Sequence, residues 1–346
     1  MEKSGNDIKE LQHMNLKNLS VLTNGGIFSK VDLLLSWFFP WLPIRRHCKN
    51  ILKLRTEFQS NFSKIDTEAY QIHIEPYRGQ NASVLEMMSY LNKYLKRDLL
   101  GAYVHGSVGT CEEILYSDFD ALVIIKDSVF NSEQRLKRVA HRLSKARSIM
   151  YRFDALQHHG WFVFAQQDLS LFPSYYFPFE LLSYAKSLFP ANGHSLHVEI
   201  PKQCFAYKEN FLSHCDTIRN RIVRGENPRN MYQLKLLLSQ ILLLPALYLQ
   251  SRDCVGVFKK YSFDTAKTDF DKDDWVSIET ASHIRNMWFY NMPPLTKLIC
   301  SRYEPFYRTI ISYIAPKITP KIKHHLNHDF YKSVLQLINK MEMKLS

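Results

Sequence analysis

Two aspartates, Asp118 and Asp120, alternate with Phe119 and Ala121 in "SDFDALVII", and a Gly-Ser pair, Gly106-Ser107, closes the preceding apolar run "LLGAYVHG". In an extended chain, residues two apart project from one face, so these carboxylates stand side by side. Like charges that close destabilise each other unless a cation lies between them. Mg²⁺ suits such a place, because it takes one or two carboxylates and fills its shell with water and substrate phosphate oxygens. A third carboxylate on a neighbouring strand would complete a two-metal site. Asp154 is the first choice, since apolar Phe153 precedes it and Ala155-Leu156 follow in a strand-like run. Glu199 in "SLHVEIP" is the second, and Asp168, which reads as a turn residue, the third. Gly106 lets the main chain approach a phosphate closely, and the Ser107 hydroxyl with nearby amides can donate to its oxygens.

The elements that must position these groups follow from periodicity. "SVLEMMSYLNKYL" sets Val84, Met87, Met88, Leu91 and Leu95 on one helical stripe, with Ser83 as the expected N-cap. "LLGAYVHG" and "DFDALVII" are short apolar runs bounded by turn signals, and both read as strands, with a loop over "VGTCEEILYS" between them. A helix is expected between Ser132 and Met150. "YRFDALQHHGWFVFAQQ" then reads as two further strand-like runs pivoting about His158 to Gly160. Helix, strand, strand, helix, strand, strand is an α+β unit with a small mixed sheet. Residues 1–80 read as a helical, irregular N-terminal extension, 81–204 as the α+β unit with a proline-punctuated connector, and 205–346 as a helical domain.

The spaced pattern of Val104, Gly106, Ser107, Asp118 and Asp120, an apolar residue and Gly-Ser followed by Asp-x-Asp in apolar flanks, resembles the signature of the nucleotidyltransferase superfamily. That superfamily includes DNA polymerase β and kanamycin nucleotidyltransferase. The resemblance covers residues 83–165, roughly a quarter of the chain. It implies a nucleotidyltransferase palm in which Asp118, Asp120 and Asp154 bind metal, and Gly106 and Ser107 hold a nucleoside triphosphate. It further implies Mg²⁺ or Mn²⁺ as cofactor, an NTP (ATP foremost) as co-substrate, and transfer of a nucleoside monophosphate to an acceptor hydroxyl. A small-molecule acceptor is favoured, with protein or RNA as alternatives. The rival expectation is a nucleotide-binding or regulatory protein that keeps the palm and lacks the chemistry.

The remaining residues are read against simpler roles. Lys259, Lys260 and Lys235 are candidates for a phosphate-directed lysine from the helical half, with Lys259 placed first. Adjacent histidines on a strand face opposite ways, so His158 and His159 are expected to pack rather than to chelate one ion. His105 reads as a structural neighbour of Gly106. The basic residues of 135–152 read as a solvated helix face rather than a nucleic-acid groove. "TDFDKDDW" lacks the glycine and the bidentate glutamate of a calcium loop. The net charge of +12 favours phosphate-bearing partners. Six cysteines without a C-x-x-C pair support neither a zinc site nor a disulfide framework, so a reducing cytoplasm is expected. The polar N-terminus lacks the apolar core of a signal peptide. "VDLLLSWFFPWLP" is shorter than the ~20 residues a span needs, and 234–249 carries Lys235, Ser239, Gln240 and Pro245. No stable membrane insertion is expected; a surface contact by the Trp37–Trp41 patch is the minor alternative.

Overall fold

The structure, a computed structural model, describes residues 5–23, 41–59, 66–189, 194–201, 207–302 and 311–346. In chain order its elements are α1 (Gly5–Thr23), α2 (Trp41–Gln59), β1 (Thr67–Ile74), α3 (Ala82–Tyr94), β2 (Leu99–Val104), the single turn α4 (Gly106–Gly109), β3 (Ala121–Ile125), α5 (Glu133–Phe153), β4 (Trp161–Ala165), β5 (Lys186–Ser187) and β6 (His194–Pro201). Helices follow: α6 (Tyr207–Val223), α7 (Met231–Ile241), α8 (Leu244–Asp253), α9 (Lys259–Lys267), α10 (Lys272–Asn286), α11 (Pro294–Arg302), α12 (Pro320–Lys323) and α13 (His328–Leu345). The fold is α+β, with small sheets and a helical C-terminal half.

Four strands form a mixed sheet in the order β4-β3-β2-β5. β2 runs antiparallel to β3 and β5, whereas β3 and β4 are parallel and joined by the crossover helix α5. β3 explains why its sequence is a continuous apolar run, since both of its faces are covered. Ala121, Val123 and Ile125 pack with Leu136, Val139 and Leu143 of α5, while Leu122 and Ile124 face Ile72, Ile74, Leu196 and Val198 of the β1–β6 ribbon. Leu19, Cys48 and Ile51 of α1 and α2 belong to the same core as α5. These helices are therefore part of the packing around the sheet.

Several expectations need correcting. β1 lies in a stretch expected to be helical and irregular. Its apolar positions Tyr70, Ile72 and Ile74 alternate, and they bind it to β6 over eight residue pairs. The N-cap of α3 is Asn81, whose side chain accepts from the amides of Ser83 and Val84; Ser83 lies inside the helix. The segment after β2 begins with a helical turn before it becomes a loop. Residues 151–167 hold one strand, β4, rather than two, because residues 154–160 form a turn and an irregular segment.

Among the described residues, Met231–Asp253 is the one stretch long and apolar enough to cross a membrane, yet most of it is buried in the helical core. The side chains of the Trp37–Trp41 patch lie outside the described residues. On the basic face of α5, Arg135 pairs with Asp98, Lys137 with Glu133 and Arg152 with Glu86, Arg147 is fully buried, and Arg138 and Lys145 are exposed.

Phe119 is the core anchor of the segment that bears the two aspartates. It is fully buried and meets Phe153 edge-on, with ring centroids 5.8 Å apart. Phe119→Ala is expected to cost about 3–5 kcal/mol, the usual range for emptying a buried aromatic site, as measured by urea unfolding.

Candidate active site

One end of the mixed sheet gathers the chemistry. β2 finishes there at Val104, while β3 and β4 both start there at Ala121 and Trp161. Consequently Gly106-Ser107, Asp118, Asp120 and the 154–160 turn converge. The His105 amide donates to the Asp120 carbonyl at 2.9 Å, extending the β2–β3 ladder by one bond. Gly106 has φ +64°, and a Cβ there would stand 2.9 Å from Asp120 Oδ2. Both facts call for glycine, the first through conformation and the second through space. Ser107 Oγ donates to Ser117 Oγ at 2.8 Å, which holds the corner against the aspartate segment.

Asp118 and Asp120 differ sharply in their surroundings. Asp118 Oδ1 lies 2.8 Å from Lys235 Nζ, and the same ammonium lies 2.6 Å from Asp154 Oδ2. Lys235 is fully buried and reaches the sheet end from α7. Its ammonium also stands 5.1 Å from the Tyr116 ring centre. Burial alone would raise the Asp118 carboxyl, but Lys235 and the neighbouring imidazoles override it and bring it down to about 2. Lys235 is driven up by the two carboxylates in spite of its own burial. The Asp120 carboxylate, by contrast, makes no hydrogen bond or ion pair with the described residues, and the residue is half-buried.

Asp154 is brought beside Asp118, but not as expected. It is the C-terminal cap residue of α5 and is not in a strand. Its Oδ2 accepts from Lys235, and its Oδ1 accepts from the Tyr290 hydroxyl at 2.7 Å and the Leu156 amide at 3.2 Å. Burial lifts this carboxyl above its ordinary range against the pull of Lys235. Lys235 thus occupies the place between Asp118 and Asp154 where a second cation was expected. The carboxylate oxygens not engaged by Lys235 or Tyr290 are Asp118 Oδ2 and those of Asp120. Glu199 lies in the β1–β6 ribbon and accepts from Thr67 at 3.0 Å. Asp168 sits beyond the far end of β4, caps the Ala165 amide at 2.7 Å and is raised by burial to about 6. Neither joins Asp118.

The histidine pair does not have the strand geometry expected for it. His158 and His159 lie in the irregular segment, so strand alternation does not apply, and their ring centroids are only 3.9 Å apart. Gln157 arranges this. Its side chain accepts from the Phe119 amide at 2.8 Å and donates to the carbonyls of Phe119 (3.1 Å) and His159 (2.9 Å), tying the turn to the aspartate segment. His158 Nδ1 lies 3.7 Å from Asp118 Oδ2. Burial and His159 push the His158 imidazole down to about 3. His105 packs edge-on against Phe177, in keeping with a structural role.

Two cations from the helical half lie near this end of the sheet, Lys259 within the influence of both aspartates and Arg285 near Lys259. Lys259 opens α9. Burial and Arg285 depress its ammonium to about 8, while Asp120 and Asp118 act in the opposite sense. Arg285 sits near the end of α10, and sequence reasoning passed over it; its only signal was a basic residue in the last turn of a helix. Lys260 instead pairs with Glu112 at 2.5 Å on the surface. The "TDFDKDDW" acids are bound elsewhere: Asp269 by Tyr248 and Arg252, Asp274 by Lys340.

The chain matches no protein-family model, no curated protein and no solved structure.

Removing the Lys235 ammonium would leave two buried carboxylates facing each other. Lys235→Ala is expected to destabilise the protein by about 3–5 kcal/mol, the range for stripping one partner from a buried ion pair, read as a loss of stability in denaturant unfolding.

Proposed function

We propose that the chain is a nucleotidyltransferase with a palm-type α+β unit, transferring a nucleoside monophosphate from an NTP to an acceptor hydroxyl. The observation that carries this reading is Asp120, an unpaired carboxylate beside Asp118, set against a positive-φ glycine corner on one side and Lys259 with Arg285 on the other. A divalent cation held by Asp118 and Asp120 would offset phosphate charge and stabilise charge developing during displacement. The residues of the chain do the positioning. Gly106 leaves room for a phosphate to approach the main chain, and the Ser107 hydroxyl can turn from Ser117 to a phosphate oxygen. Lys259 and Arg285 supply positive charge to the outer phosphates, and Phe258, stacked on Tyr184 with centroids 4.5 Å apart, adjoins Lys259 as a surface for a base. Lys235 holds Asp118 ionised, so its second oxygen remains a strong ligand.

A cavity of about 250 Å³ beside Asp154, lined among others by Phe153, Trp288, Tyr290 and Lys297, is of a size for a small acceptor. Protein and RNA acceptors are separate arms of the assay.

A second reading is a nucleotide-binding protein without turnover. It draws on Asp154, whose oxygens are already engaged, so that no free third carboxylate stands beside Asp118 among the described residues. Calorimetry with Mg²⁺ and NTP, followed by a labelled-NTP assay over acceptor panels, separates the two. Binding without product under any acceptor would favour the second.

Asp120→Asn is the cleaner test of chemistry, because Asp118 also neutralises a buried lysine. Turnover should fall by at least about a hundredfold, or 2.7 kcal/mol by the ordinary rate–energy relation, with the melting temperature nearly unchanged. Activity close to that of the unsubstituted protein would overturn the assignment.

Lys259 also sets a pH dependence. The free site carries the charged ammonium below about 8 and loses it above. Bound phosphates draw the proton back. NTP affinity should therefore be level below pH 8 and weaken by up to about tenfold per unit above it. Lys259→Arg, which stays charged, should flatten that profile in calorimetric titrations.

A further inference from the structure

The transfer reading leaves two adjacent histidines at the sheet end without a role. Asp118 Oδ2, His158 and His159 offer three ligand atoms within 4.8 Å of one another. His158 Nδ1 is buried, has no hydrogen-bond partner and points toward Asp118 Oδ2 across 3.7 Å. A buried ring nitrogen left unpaired costs free energy that a ligand would recover. Donors held about 2.0–2.1 Å from a four-coordinate ion stand roughly 3.4 Å apart, so this pair is already near ligating separation.

We propose that Asp118, His158 and His159 form a binding site for a divalent transition-metal ion of the Zn²⁺ or Co²⁺ class, taken in preference to Mg²⁺. The donor set carries this preference. Mg²⁺ is bound through oxygen, whereas imidazole nitrogen selects borderline ions such as Zn²⁺ and Co²⁺. The surroundings hold the three ligands in register. Lys235 engages Asp118 Oδ1 and so turns Oδ2 toward the rings. Gln157 fixes the histidine segment to the backbone of Phe119. An outer shell of this kind orients ligands before an ion arrives. His159 is exposed, which gives the site an entry path. The inference deepens the transfer reading, since Asp118 is common to both, but it concerns metal binding and stands or falls without nucleotide.

The test is a Co²⁺ titration of the full chain without nucleotide, followed by the visible ligand-field bands. One equivalent should bind with the spectrum of nitrogen ligation, be displaced by Zn²⁺ and resist an equal concentration of Mg²⁺. His159→Ala and His158→Ala should each weaken Co²⁺ binding by at least about tenfold, the lower end of the loss seen for outer-shell partners. The exposed position of His159 keeps its variant foldable, and circular dichroism checks both. The other histidine group, His283 with His324 and His325, provides the control: His324→Ala and His325→Ala should leave the titration unchanged. Unchanged Co²⁺ affinity in folded His158→Ala and His159→Ala overturns the proposal, as does loss of binding in the control variants. Co²⁺ bound at the histidines with no NTP turnover under any metal upholds this site and removes the transfer reading. Turnover with Mg²⁺ and no Co²⁺ or Zn²⁺ at the histidines does the reverse.

Discussion

A single buried ammonium organises this molecule. Lys235 reaches out of an apolar helix and ends between Asp118 and Asp154, within 2.8 Å of one and 2.6 Å of the other. Removing three charges from water is expensive, and the attraction among them recovers that cost only when geometry and further hydrogen bonds are good. The protein supplies both. The Tyr290 hydroxyl and the Leu156 amide complete Asp154, and the Tyr116 ring flanks the lysine. Everything at the sheet end is arranged around this cluster, including which carboxylate remains open. Asp118 is committed on one oxygen and Asp154 on both, so Asp120 is the acid left unpaired among the described residues.

The second constraint is the sheet. Because β2 ends where β3 and β4 begin, a glycine corner, an aspartate pair and a helix-to-strand turn must meet. Covering β3 on both faces, by α5 on one and the β1–β6 ribbon on the other, makes its register hard to slip. A one-residue shift would drive Asp118 and Asp120 inward and Phe119 outward.

Much of this was legible in the residues. The alternation of Asp118, Phe119, Asp120 and Ala121 sets charge on one face and core on the other. The long run of apolar positions in α5 marks a crossover helix. Lys259 was singled out as a phosphate-directed lysine, and it does lie within the influence of both aspartates. What stayed hidden depended on contacts distant in sequence. Asp154 reads as a strand residue because apolar neighbours surround it, yet Phe153 ends a helix against the sheet core while Ala155 and Leu156 turn into the helical half, which leaves it as a helix cap. The histidines were judged by a strand's period of two, whereas Gln157 bends the backbone there and brings both rings together. Lys235 carried a visible signal, a charge in an apolar run of a dozen residues. Its partners 81 positions upstream and further were beyond local pattern. β1 was missed because its alternation is short and its partner β6 lies far along the chain.

The Lys235 cluster has a consequence for how the chain behaves as a whole. Its carboxylates belong to the sheet-bearing half and its ammonium to the helical half. Parting the halves would strand opposite charges in two separate apolar interiors. Neither half therefore has a comfortable existence alone, and the bond between them is a cost that any separation of the two would have to meet.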